Sequence, residues 1–102
     1  MELLTQAVKE QLPPLYTCEN FKDPMVQVKF FTPWTSWTWY AMEFDGEDIF
    51  FGLVDGQDAE LGYFSLSELR SVRGPGGLRI ERDLHFTPKP LSEVKKLCRG
   101  IA

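Results

Sequence analysis

The sequence is poor in the residues on which most small-protein chemistry rests. It has one histidine, His85, and two cysteines, Cys18 and Cys98, far apart. That set gives no zinc spacing, and a Cys–His nucleophile pair would have to be assembled over a long loop. No apolar run approaches the ~20 residues that cross a bilayer as a helix, so no membrane association is expected. The opening MELLTQAVKE carries an acid early and has no basic stretch before its apolar residues. It does not read as a secretory signal. Two thiols without such a signal are expected to stay reduced in the cytoplasm. There is no P-loop, no dinucleotide fingerprint and no serine elbow. Gly74-Pro75-Gly76-Gly77 comes nearest, but its proline removes an amide that a phosphate nest needs. No catalytic residue, metal or cofactor is expected from these absences.

Positive charge is missing from a whole region. No Lys or Arg occurs between Lys29 and Arg70, while Glu43, Asp45, Glu47, Asp48, Asp55, Asp58, Glu60 and Glu68 do. From Arg70 onward eight basic residues face three acidic ones. Either the acids solvate turns, or they form an acidic pole that steers basic partners. Hydrophobic residues make up 43% and charged residues 25%, the balance of a globular chain. Residues 1–102 are read as one domain.

Leu4, Val8 and Leu12 recur at helical spacing, with Thr5 as a cap and Pro13-Pro14 as a stop. Leu15 to Pro24 reads as an irregular connection. Four strands follow, over 25–31, 36–44, 48–54 and 59–65, with Asp45-Gly46 and Asp55-Gly56 as hairpin turns. In the second strand Trp37, Trp39, Ala41 and Glu43 share one face, and Thr38, Tyr40, Met42 and Phe44 the other. Both faces are too apolar to face water. Gly52 and Gly62 read as room for neighbouring rings. Ser65-Leu66-Ser67-Glu68 is a capping box that starts a helix ending near Arg73. Ser92 caps a last helix, and Gly100 closes it. The fold expected is α+β: a four-stranded antiparallel meander with short helices at both ends of the chain. The helices can cover one face; the other is left to residues 78–86 or to a partner.

Several groups invite functional readings. Asp45, Glu47 and Asp48 are oxygen ligands in a turn, without the spacing of a calcium loop. Arg82, inside Glu81-Arg82-Asp83, projects to the apolar side and needs a partner. Glu43 or Glu60 would serve, with stacking on Trp37 or Trp39. The aromatic residues could stack nucleic-acid bases, but the charges between them are acidic, which disfavours nucleic acid. Trp, Tyr and Arg are also what protein-binding hot spots use. The candidate binding residues are therefore Trp37, Trp39, Tyr40, Glu43, Tyr63 and Arg82, and the expected partner is another protein. One alternative is a small hydrolase or transferase with a pocket near Trp39, Glu43, Tyr63 and Arg82. Another is a nucleic-acid binder that uses the basic C-terminal third.

The strings Trp37-Thr38-Trp39-Tyr40, Glu43-Phe44-Asp45-Gly46-Glu47-Asp48, Leu61-Gly62-Tyr63-Phe64-Ser65-Leu66 and Ile80-Glu81-Arg82-Asp83-Leu84 resemble the bacterial family called domain of unknown function 2958. The resemblance runs from Met1 to about Glu93. It implies a single-domain protein of plasmids, phages and integrative elements, and carries over no catalytic residue. Arg79 stands where the family commonly has proline, and His85 where it commonly has tyrosine, which weakens a catalytic role for His85. With the residue reading, it implies a non-enzymatic accessory protein of a mobile element. Such a protein would bind another protein through an aromatic and acidic sheet surface, in one version by mimicking DNA or blocking a defence system.

Overall fold

The computed structural model describes residues 2–98; Gly100, expected to close the last helix, lies outside them. Helix α1 spans Gln6–Gln11 and is capped by Thr5, whose Oγ1 accepts the Val8 N–H at 3.3 Å. Strands β1 (Met25–Val26) and β2 (Val28–Phe31) divide what reads as one strand. The long strands are β3 (Thr38–Phe44), β4 (Ile49–Asp55) and β5 (Ala59–Ser65). Helix α2 (Leu66–Ser71), the short strands β6 (Glu81–Arg82) and β7 (Lys89–Pro90), and helix α3 (Leu91–Leu97) complete the chain.

The main sheet has five antiparallel strands in the order β5-β4-β3-β2-β6, and β1 pairs with β7 in a small second sheet. The α+β class and the antiparallel meander hold, but the expectation of four strands does not. Glu81 and Arg82 pair with Phe31 and Phe30, so the segment after α2 extends the sheet at its edge. Leu78–Phe86 reads in sequence as an extended segment with one short strand; what a local pattern does not show is its pairing with β2 as a fifth strand of the sheet.

The front face carries Val28, Phe30, Ala41, Phe44, Phe50 and Phe64. Phe50 is fully buried and sits 4.6 Å from Phe44, 5.1 Å from Phe64 and 5.5 Å from Phe30, centroid to centroid. Leu3, Leu4 and Leu12 from the N-terminal segment, Leu66 and Leu69 of α2, and Ile80 close over it. The back face carries Tyr40, Met42 and Leu53, covered by Val26 and by Leu91, Val94 and Cys98 of the α3 segment. Helices from the two ends of the chain thus take opposite faces.

The caps show how this is held. Ser65 Oγ accepts the Glu68 N–H at 3.0 Å, as the capping box requires. Asp48, from the β3–β4 loop, adds to it by accepting the Ser67 amide at 2.8 Å and the Ser67 hydroxyl at 3.0 Å. At α3 the expectation fails. The helix starts at Leu91 with Pro90 as its cap residue, so Ser92 lies inside its first turn. The Ser92 amide and hydroxyl go to Asp23 at 2.9 and 2.6 Å. An acid remote in sequence does the capping, which a local pattern cannot reveal.

Candidate binding surface

Glu43 organises the open part of the back face, and a bulge puts it there. Ala41 lies opposite Gly52 and Glu43 opposite Phe51, so Met42 is the extra residue. A bulge shifts the alternation by one position. Glu43 therefore leaves the side of Trp39 and Ala41 and joins Phe51 and Tyr63. Gly52 permits this: a Cβ there would run into the Tyr40 carbonyl oxygen, a backbone atom that cannot step aside. The glycine makes room for backbone rather than for a ring.

Glu43 is 3% exposed, and its carboxylate is fully engaged. It accepts the Tyr16 N–H at 3.0 Å and the Cys18 N–H at 2.6 Å. Hydrogen bonds to a charged acceptor are worth about 1.5–3 kcal/mol each. Between them they hold residues 14–21 against the sheet, with Tyr16 in the left-handed region at φ 70°, a conformation few non-glycine residues adopt. Burial pushes the Cys18 thiol up, and the negative Glu43 beside it pushes it further. The Tyr63 hydroxyl is raised as well, first by its hydrogen bond with Tyr16.

Above this latch lies an open groove of about 480 Å³ lined by Tyr16, Phe21, Phe51, Leu61 and Tyr63, with Glu19, Lys22 and Lys95 also on its walls. Tyr16 is 64% exposed, Phe21 58%, Leu61 47% and Tyr63 57%. Scattered exposed apolar side chains need no explanation, but four gathered around one groove do.

The sequence-derived candidates separate. Glu43 and Tyr63 meet at the groove. Tyr40 is buried under α3, and burial first of all pushes its hydroxyl up to about 12. Trp37 and Trp39 lie on the front face with ring centroids 6.0 Å apart. The Trp37 ring covers Gly56, where a Cβ would strike it, and borders a hollow of about 230 Å³ with Asp58 and Glu60. Arg82 is also on the front face, opposite Phe30, and its Nη1 donates to the Glu2 and Leu3 carbonyls at 3.0 Å each. The expected Arg82–Glu43 pair is therefore not formed; the sheet stands between them. For the same reason Trp39 and Arg82 lie across the sheet from Glu43 and Tyr63. Tyr16 and Phe21 were missed because Leu15–Pro24 has no periodic pattern. Two aromatic residues in a polar connection were the available signal.

The acidic run is also divided. Glu43 and Asp55 are buried, Asp48 caps α2, and Asp45 Oδ1 accepts the amides of Glu47, Asp48 and Ile49 at 2.8, 2.8 and 3.0 Å. Those amides hold the Asp45 carboxyl below the usual carboxylate range. Cys98 is buried under the back face, where desolvation and then the nearby Asp55 push its thiol up to about 11. Neither cysteine is poised as a thiolate.

The family described as Protein of unknown function (DUF2958) matches residues 2–100, and the chain belongs to it. No curated protein and no solved structure matches.

Proposed function

We propose that this chain is a non-enzymatic binding protein that seats part of another protein in the groove of Tyr16, Phe21, Leu61 and Tyr63. The observation that carries the reading is the gathering of four large, exposed apolar side chains on a wall fixed from below by a buried carboxylate. A loop without secondary structure would lose its shape on its own. Glu43 fixes it before any partner arrives, so less ordering cost falls on binding. Tyrosines with few rotatable bonds suit such an anchor site. Lys22 and Lys95 on the walls favour a partner that places carboxylates around an apolar anchor. This keeps the accessory role implied by the family resemblance, but moves the contact from the tryptophan side of the sheet to the tyrosine side. The exposed Trp37, Asp58 and Glu60 are a second, smaller aromatic and acidic patch.

Affinity capture from a bacterial host with the parent chain, Tyr63→Ala and Trp37→Ala tests the reading. A protein retained by the parent and by Trp37→Ala, but released by Tyr63→Ala, supports the groove. Retention lost only with Trp37→Ala would move the site to the front face. A purified partner whose affinity is unchanged by Tyr63→Ala and by Leu61→Ser would refute the groove outright.

A further inference from the structure

The two edges of the main sheet are unlike. One edge is β6, two residues long; the other is β5, seven residues long. The register shows which backbone groups β5 leaves open. The Asp45 N–H bonds the Ile49 carbonyl at 2.9 Å, so Ile49, Phe51 and Leu53 direct their backbone groups toward β3, and Phe50, Gly52 and Val54 toward β5. Their partners Phe64, Gly62 and Glu60 are thereby satisfied. The N–H and C=O of Ala59, Leu61 and Tyr63 point outward, and among the described residues no strand pairs with them. Proteins guard such an edge with lysine, proline, a bulge or a covering element. Ala59–Ser65 has no lysine or proline, its one charge is Glu60, and its register with β4 is unbroken.

We infer that β5 pairs antiparallel with β5 of a second copy of this chain, joining two five-stranded sheets into one across a two-fold axis at Gly62. The strand is complementary to itself in the register that overlaps it fully. Ala59 then faces Ser65 of the other copy, and Leu61 faces Tyr63 in hydrogen-bonded positions. On the back face each Leu61 packs against a Tyr63 ring, an aliphatic–aromatic pair that stabilises sheets. Glu60 faces Phe64, so no like charges meet. Gly62 faces itself as a non-hydrogen-bonded pair, where Cα atoms approach to about 4.5 Å, and there is open space beside it. The two aromatic grooves then lie on the same face of one continuous sheet. The inference concerns the strand edge and does not require a foreign partner in the groove.

Gly62→Cys tests the axis. Paired cysteines need Cα atoms about 4.4–6.8 Å apart, which this register supplies only at position 62; Glu60→Cys, opposite Phe64, is the register control. We expect Gly62→Cys to run as a covalent dimer after mild oxidation, with Glu60→Cys and the parent chain staying uncrosslinked. Light scattering of the parent along a dilution series should show a mass that doubles with concentration. Amide exchange at Leu61 and Tyr63 should slow as it does. Leu61→Lys should weaken association at least tenfold with an unchanged circular-dichroism spectrum. A parent that is monomeric at every concentration, with Leu61 and Tyr63 amides exchanging freely, overturns the proposal. So does a dimer in which Gly62→Cys does not crosslink. A parent chain that dimerises but captures no partner would count against the groove alone.

Discussion

The front and back faces of this sheet have similar apolar strips in the sequence and different structures. On the front, Phe50 and its ring neighbours are sealed by leucines from the N-terminal segment and α2, a hydrocarbon layer with Arg82 at its edge bonded to the Glu2 and Leu3 carbonyls. On the back, α3 covers Tyr40, Met42 and Leu53, while Cys98 and Asp55 bring polar atoms beneath it. Beyond α3, cover depends on the loop of residues 14–21, attached by a carboxylate and ending at an open row of aromatic residues. A hydrocarbon seal resists local opening because every part of it buries apolar surface. A loop held largely by two charged hydrogen bonds can be released at one residue. This difference is why the proposed binding site is placed on the back face.

Adding a single carbon atom should have its largest effect at the residue that keeps the two faces in their registers. Gly52→Ala places a methyl group against the Tyr40 carbonyl beside the bulge. Overpacking of a side chain costs about 1–3 kcal/mol, and a backbone obstacle allows less relief. We expect a loss of about 3 kcal/mol or more in urea denaturation. Gly62→Ala, in the next strand with open space around it, should change stability by less than about 1 kcal/mol. Equal losses at the two positions would mean that Gly52 is needed for reasons other than the bulge.

Glu43→Ala comes next, and it should act on one face only. It removes a buried acceptor and leaves the Tyr16 and Cys18 amides without it, at a cost of about 2–3 kcal/mol. Limited proteolysis should then cut within residues 14–22 while the N-terminal leucines stay protected. Cutting first near Leu3 and Leu4 would show that the faces are coupled more tightly than their separate covers suggest.

The strands around both Asp-Gly turns could be read in sequence because alternation and turn chemistry are local. Even so, the two glycines are there for different reasons. Gly46 has φ 93°, as the turn requires; Gly56 leaves space for the Trp37 ring. Two features were hidden. A bulge leaves no mark in composition, yet one extra residue moves Glu43 to the other side of the sheet. Asp23 on Ser92 and Glu43 on Tyr16 and Cys18 are contacts between residues remote in sequence, which no window of residues can anticipate. Of the candidate site, Tyr63 and Glu43 were legible as residue types in strands. Tyr16 and Phe21 owe their position to a loop that only the folded chain defines.

A smaller, pH-dependent effect follows from the polar atoms under α3. Cys98 is raised to about 11 and Tyr40 to about 12, in both cases chiefly by burial. A raised acid holds its proton more tightly in the folded state than in the unfolded one. The stability this gives is complete below the unfolded pKa and lost as pH rises through the folded value. The window runs from about pH 9 to about pH 11 for Cys98 and ends about one unit higher for Tyr40. Denaturation midpoints of the parent should fall across that range, and Cys98→Ala should fall less steeply. Identical slopes would mean that the thiol titrates as it does in water.

The smallest expected effect is the sharpest comparison, because it concerns neighbours in one strand. Phe64 points to the front face and is buried at 7% exposure; Tyr63 points to the back and is 57% exposed. Phe64→Ala should cost about 3–5 kcal/mol, since it empties a place in the ring cluster around Phe50. Tyr63→Ala should leave stability within about 0.5 kcal/mol. It gives up an edge contact with Phe51 at 5.0 Å and a hydrogen bond to Tyr16 that water can replace. Denaturation of the two variants side by side measures the difference. If Tyr63→Ala costs as much as Phe64→Ala, the groove is a weakly covered part of the core, and its aromatic residues are there for folding. If Tyr63→Ala is silent in stability, folding of the single chain does not account for a large ring held in water, and contact with another molecule, a partner in the groove or a second copy at β5, is the role proposed for it.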